Sequence, residues 1–131
     1  IVGDGPDFRQ IKSLINLRPD GIELLGRLPN SEALVAISKA HCLVVNSNVE
    51  TFSVVSIEAR AQGLQVIATD CGGPPEYADD FTLIIQKNNL EDLKTHMLFA
   101  LEKSNIPKRV IQEFSRSSIG TSLFSLYEFY A

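Results

Sequence analysis

The sequence predicts an α/β fold: a Rossmann-like parallel sheet with flanking helices, formed as a single domain over residues 1–131. Two observations carry the class. Short, β-branched apolar runs alternate with segments whose apolar residues recur at helical spacing, the pattern of a parallel sheet with right-handed crossovers. The runs Cys42–Asn46 and Leu64–Thr69 are mostly apolar and rich in β-branched residues, as buried parallel strands are. A third observation points to a ligand. The loops Gly3–Gly5, Gly26–Leu28, Asn46–Glu50 and Thr69–Glu76 each follow a strand, and in such sheets ligands sit beyond the carboxyl ends of strands. Each loop alone reads equally well as a turn; as a set on one rim they favour a phosphorylated ligand.

Taken in order, Ile1 and Val2 read as the last positions of a strand entering a glycine turn. Gly3 and Gly5 permit positive φ or a close approach, and Pro6 suits a first helical turn. The helix that follows carries Phe8, Ile11, Leu14 and Ile15 inward and ends near Arg18–Gly21. Ile22–Gly26 is a second short strand, leading through Arg27, Leu28 and Pro29 to a helix capped by Asn30 or Ser31. Leu34, Ile37 and Ala40 face its core side. His41, read as a packed or capping residue, opens the strand Cys42–Asn46. Val54, Ile57 and Ala61 then repeat at helical spacing, and Gly63 stands where a helix C-terminus favours glycine. Leu64–Thr69 is a buried strand running into Gly72 and Gly73, which again allow backbone to approach a ligand closely. Thr82–Gln86 is the last strand and Leu90–Lys103 an amphipathic helix. Pro107–Phe114 and Ser117–Tyr130 read as two closing helices.

Composition excludes several classes. The net charge of −4 leaves no basic footprint for nucleic acid or an anionic membrane face. No run approaches the ~20 apolar residues of a membrane span, and the first residues are not a signal peptide. Cys42 and Cys71 fit neither a metal spacing nor a disulfide framework, so reduced thiols in a cytoplasmic protein are expected.

The segment from Val49 to Gly63 carries the chemistry. Glu50 lies in a strand-to-helix loop and Glu58 on the helix, with the amides of Thr51, Phe52 and Ser53 at the helix start. Unpaired N–H groups and the positive dipole end make such a place an anion site. From a start near Ser53, Glu58 lies roughly 7–8 Å along the helix. A diphosphate at the helix start would have one carboxylate on either side, each able to accept charge-assisted bonds from vicinal hydroxyls. A sugar on one side and a ribose on the other would fit. The plainer reading, a loop carboxylate favouring the dipole and a solvated helix glutamate, stays open on spacing alone.

Several motifs in their order make the sequence recognisable. They are Gly3-Asp4-Gly5-Pro6, Glu23–Gly26, the pair Glu50-x7-Glu58 followed by Ala59, Ala61 and Gly63, Val66–Thr69, and Gly72-Gly73-Pro74-x-Glu76. Together they resemble the C-terminal, donor-binding lobe of GT-B glycosyltransferases, in particular the large retaining family 4, "glycosyl transferases group 1". Phe114-Ser115, Ile119-Gly120 and Leu126-Tyr127 are similar to that family's closing helices.

The resemblance implies a transferase that moves a hexose from a nucleotide-diphosphate sugar, UDP- or GDP-linked, to an acceptor hydroxyl with retention. Such enzymes use no cofactor and usually no divalent metal, so no metal residues are assigned. They commonly build glycan, polysaccharide or glycolipid in the cytoplasm or at the cytoplasmic membrane face. Glu50 would be the catalytic-site residue contacting the transferred sugar's hydroxyls. Thr51, Phe52 and Ser53 would hold sugar and pyrophosphate, and Glu58 would bind the ribose hydroxyls. Gly3, Gly5, Gly26, Arg27 and Leu28 would border base and phosphates. The sequence departs from the family in lacking its first strand–helix unit, whose loop supplies an arginine and a lysine, and its N-terminal acceptor lobe. Ser53 stands where glycine is common and Arg60 where methionine is common. The expectation is therefore a fragment of a longer enzyme, inactive alone, which either closes the gap in its sheet or self-associates through exposed sheet edges. A sugar-nucleotide epimerase of GT-B shape and a non-catalytic, decayed donor lobe acting as an interaction module are the alternatives.

Overall fold

The computed structural model describes residues 1–17, 21–102, 106–108 and 117. The chain divides into two compact units, Ile1–Lys39 and Ala40–Ala131.

In the first unit, helix α1 (Phe8–Leu17) follows the glycine turn and helix α2 (Asn30–Ser38) follows Pro29. The α1 face is narrower than its periodicity predicts: Phe8, Ile11 and Ile15 are half-buried, whereas Leu14 is exposed. Its predicted end at Arg18–Asp20 lies outside the described residues. At α2 the cap position falls on Pro29, with no side-chain cap bond, rather than on Asn30 or Ser31. Proline's fixed φ suits that entry. Ile37 is buried and Leu34 half-buried, but Ala40 lies past the helix and is exposed.

The two strands expected here reduce to one parallel bridge, Val2 with Gly26. The bonds Leu25 N–H to Ile1 O (2.9 Å) and Gly3 N–H to Gly26 O (2.7 Å) flank it. Gly3 and Gly26 both have positive φ (137° and 68°). Extended pairing cannot continue through either residue, so the ladder ends where it begins.

The second unit contains the sheet. Strands β1 (Cys42–Val45), β2 (Gln65–Thr69) and β3 (Thr82–Ile85) pair in the order β1-β2-β3, all parallel. Every β2 residue is buried. Helix α3 (Val54–Gln62) packs on β1 and β2, and helix α5 (Leu90–Glu102) on all three strands. Ile67, Ile85 and Ala100 form the core under α5, with Cys42, Val44, Leu83 and Leu93 packed against them. This is the α/β class expected, with the central strand β2 covered by both α3 and α5.

Two features of this unit differ from expectation. The stretch read as a glycine loop contains a short helix, α4 (Pro74–Tyr77), with prolines in its first turn. His41 is exposed rather than packed. The two predicted closing helices, and the family-like residues Phe114-Ser115, Ile119-Gly120 and Leu126-Tyr127, lie outside the described residues, apart from Pro107, Lys108 and Ser117.

Candidate functional site

The loop between β1 and α3 is held at both ends by named atoms. At its start, the Thr69 hydroxyl donates to Ser47 O (2.6 Å) and accepts from Ser47 N–H (3.0 Å). Thr69 closes β2 and is 1% exposed, so the exit of β1 is fastened to the exit of β2. At the far end Glu50 makes a parallel bridge with Gly72. Glu50 N–H donates to Cys71 O (3.3 Å), and Gly73 N–H donates to Glu50 O (2.7 Å). The loops Asn46–Glu50 and Thr69–Glu76, predicted separately, are thus one paired structure.

The close approach that Gly72 and Gly73 were expected to offer a ligand is made by the chain itself. A Cβ on Gly72 would lie 2.8 Å from Glu50 O, and one on Gly73 would collide with Thr51 O. No side chain fits between these loops.

With its backbone fixed, Glu50 turns its carboxylate onto the start of α3. Oε1 accepts from Thr51 N–H and Ser53 N–H, both at 3.1 Å. Of the three amides expected to meet a ligand's anion, those of Thr51 and Ser53 instead hold the Glu50 carboxylate. The carboxylate also lies at the positive end of the helix dipole. Ser53, the N-cap residue, is buried and has φ 57° and ψ 69°, a left-handed conformation. Glycine adopts that region freely and an L side chain resists it, so Ser53 holds a conformation that favours glycine.

Phe52 is half-buried and meets Tyr77 edge-on, with ring centroids 6.1 Å apart. Glu58 is half-buried on α3, one and a half turns beyond Ser53. In the first unit, Gly3 and Gly26 are joined through the bridge described above. Gly5 O accepts from Phe8 N–H (3.0 Å) at the entry to α1. Arg27 is exposed and Leu28 half-buried.

Two polar groupings escaped the sequence reading. The first is a buried hydroxyl chain: Tyr77 OH donates to Ser56 Oγ (3.1 Å), which lies 2.9 Å from Ser53 Oγ. The second centres on Arg60, noted in the sequence only as standing where methionine is common in the resembled family, and found 1% exposed. Its Nε and Nη2 grip the Asp79 carboxylate at 3.0–3.2 Å, and its Nη1 donates to Leu64 O at 2.8 Å. Nη2 also reaches Pro107 O (3.3 Å), and the guanidinium lies 5.1 Å from the Phe81 ring centroid. Asp79 in turn accepts from Phe81 N–H and the Thr82 hydroxyl. The one available signal was spacing: Ser56, Ala59, Arg60 and Gly63 share a helix face as well as Val54, Ile57 and Ala61 do.

Among the described residues no three His, Cys, Asp or Glu side chains converge as metal ligands, and no helix is long and apolar enough to cross a membrane. Burial pushes the Cys42 thiol up from the ordinary cysteine range.

The family model described as "Glycosyl transferases group 1" matches residues 1–116. An uncharacterised glycosyltransferase of Methanocaldococcus jannaschii is 35% identical over 124 residues, 88% of this chain and 35% of that protein. The N-acetyl-alpha-D-glucosaminyl L-malate synthase of Bacillus anthracis is 41% identical over 78 residues, 58% of this chain and 20% of that protein. Among solved structures, the lipopolysaccharide outer core galactosyltransferase WaaB superposes with a TM-score of 0.75 at 19% identity. That superposition covers 95% of this chain and 40% of WaaB, and is a likeness of fold. The chain thus spans about a third or less of the length of the curated relatives it matches.

Proposed function

Because the chain belongs to the glycosyl transferases group 1 family, we propose that it is the donor-binding lobe of a retaining glycosyltransferase. Its donor would be a nucleotide-diphosphate hexose, UDP- or GDP-linked, and no cofactor or metal ion is assigned to it. The observation that carries the reading is the pair of amides just before α3, Thr51 and Ser53, already coordinating a carboxylate 3.1 Å away. An oxygen of the donor's pyrophosphate or sugar would take the same two donors. Glu50, displaced by rotation of its side chain alone because its backbone is pinned by Cys71 and Gly73, would then accept from hydroxyls of the sugar. Glu58, farther along α3, would accept from the ribose hydroxyls. Gly3, Gly5, Gly26, Arg27 and Leu28 keep the role that the resemblance implies, bordering base and phosphates.

Cleavage of the sugar–phosphate bond builds positive charge on the sugar and negative charge on the departing diphosphate. Amides that need no reorientation stabilise the second of these. An arginine and a lysine from elsewhere in a longer protein would supply the remainder, and a further lobe would bring the acceptor hydroxyl of a glycan or glycolipid. The chain by itself would therefore bind donor without transferring sugar. A cytoplasmic protein, peripheral at the membrane face, fits these substrates. Self-association belongs to the same proposal, since β1 and β3 are the outer strands of the sheet among the described residues.

Calorimetric titration with UDP, GDP and their hexose conjugates tests the reading. One nucleotide series should bind, and Glu58→Ala should weaken it by roughly tenfold, the loss of one charge-assisted pair. Binding indifferent to Glu58→Ala, or no binding in either series, would count against it.

A further inference from the structure

Ser53 poses a physical problem that the fold has to solve. Its amide is one of the two directed at the candidate anion position. To direct it there the residue sits at φ 57°, where the Cβ of an L residue crowds the neighbouring carbonyl. Something must hold it in place, because a residue free to relax would turn that amide away.

The surroundings supply a specific restraint. Ser53 Oγ lies 2.9 Å from Ser56 Oγ, one helical turn on, and Ser56 Oγ accepts the Tyr77 hydroxyl at 3.1 Å. The three residues are 5%, 0% and 2% exposed, so water does not compete for these bonds. Tyr77 stands on α4, which begins one residue after Gly73, the residue whose amide fastens Glu50. Its ring also meets Phe52 on the other side of Ser53. The hydroxyl chain therefore ties the left-handed residue to the same segment that fixes Glu50.

We propose that Ser56 and Tyr77 are positioning residues of the donor site: their buried hydroxyls hold Ser53 in the left-handed conformation that aims its amide at the anion position. Hydrogen bonds here do what glycine would do by having no Cβ. The identity of the anion as a donor diphosphate rests on the function proposed above; the restraint on Ser53 does not.

The test uses the full chain with Ser56→Ala, Tyr77→Phe, Ser53→Gly and the two double variants that combine Ser53→Gly with each of the others. Two quantities are read: hydrogen-exchange protection of the residue-53 amide without ligand, and affinity for UDP and GDP by calorimetry. Ser56→Ala should lower protection of that amide about tenfold relative to amides in the middle of α3, and weaken nucleotide affinity about five- to tenfold. Tyr77→Phe, which keeps the ring and removes only the hydroxyl, should act in the same direction by about two- to fourfold. Ser53→Gly should restore both quantities to within about twofold in either background.

A purely structural role would not produce that rescue, since glycine replaces none of the lost bonds. Unchanged protection in both single variants, or failure of glycine to restore it, overturns the proposal. If protection follows the expected pattern but no variant, nor the parent chain, binds a nucleotide, the positioning role stands and the donor reading falls. If nucleotides bind but glycine rescues neither quantity, the donor reading stands and the positioning role falls.

Discussion

Gly73 has helical torsions, φ −63° and ψ −37°, so any residue could adopt its backbone. What requires glycine is space: a Cβ would collide with Thr51 O, and the Gly73 amide cannot retreat without losing Glu50 O. Gly73→Ala should therefore destabilise the chain by about 1–3 kcal/mol, the usual penalty of overpacking, as read by urea denaturation. It should also shift the Thr51 and Ser53 amides in NMR spectra. Arg60 and Asp79 give a second, asymmetric case. The Arg60 side chain is 2% exposed and that of Asp79 15%. Removing the carboxylate strands the more deeply buried charge, so Asp79→Ala should cost roughly 3–5 kcal/mol. Arg60→Met should cost less, because Asp79 keeps Phe81 N–H, the Thr82 hydroxyl and some access to solvent. Equal losses in the two variants would contradict this account of the pair. At this scale the sequence placed the helix start at Ser53 and identified Gly63 as a C-terminal glycine, since both depend on local backbone chemistry. It was silent on the Ser53–Ser56–Tyr77 and Arg60–Asp79 groupings, which depend on contacts 19 and 21 residues apart.

The strands of the second unit were legible because each is a short β-branched run that allows little else. α3 was legible as a helix but not in its orientation. Val54 is 61% exposed, while the buried face is Ser56, Ala59 and Arg60, small and polar positions that hydropathy reads as surface. α4 was missed because four residues containing two prolines read as loop chemistry. β1 carries a prediction of its own. Its first residue, Cys42, packs under α5, and burial raises its thiol above the ordinary range near pH ~8.5. The protonated form is favoured in the fold, so the stability linked to this group is complete below that range and is lost as pH rises through the raised value. Chain stability should accordingly decline on the alkaline side. Cys42→Ser should flatten that decline, in thermal melts from pH 7 to about 10. Alkylation of Cys42 near neutral pH should be slow compared with a free thiol, because the thiolate is the nucleophile.

For the whole molecule, fold and family were legible because the motifs occur in the right order along the chain, a property no single loop possesses. Within each unit two of the four expected loops pair locally, Gly3 with Gly26 through a hydrogen bond and Glu50 with Gly72 through a parallel bridge. The first unit is the less regular one: Leu14, Ile22 and Val35 are exposed there, and its strand pairing stops at one bridge. Leu90, Leu98 and Leu101 on α5 are 72%, 57% and 61% exposed and β1 is an outer strand among the described residues, so the self-association proposed above would engage them. Light scattering should give an average mass that rises above 14.4 kDa with concentration; a constant 14.4 kDa would argue against it.

The most direct measurement is an amide-resolved NMR titration of the full chain with UDP and with GDP. If the start of α3 receives the donor's pyrophosphate, the Thr51 and Ser53 amides should show the largest shifts as Glu50 gives way, with saturation by one nucleotide at lower concentration than by the other. Nucleotide binding that leaves those two amides unmoved would place the site elsewhere and contradict the account.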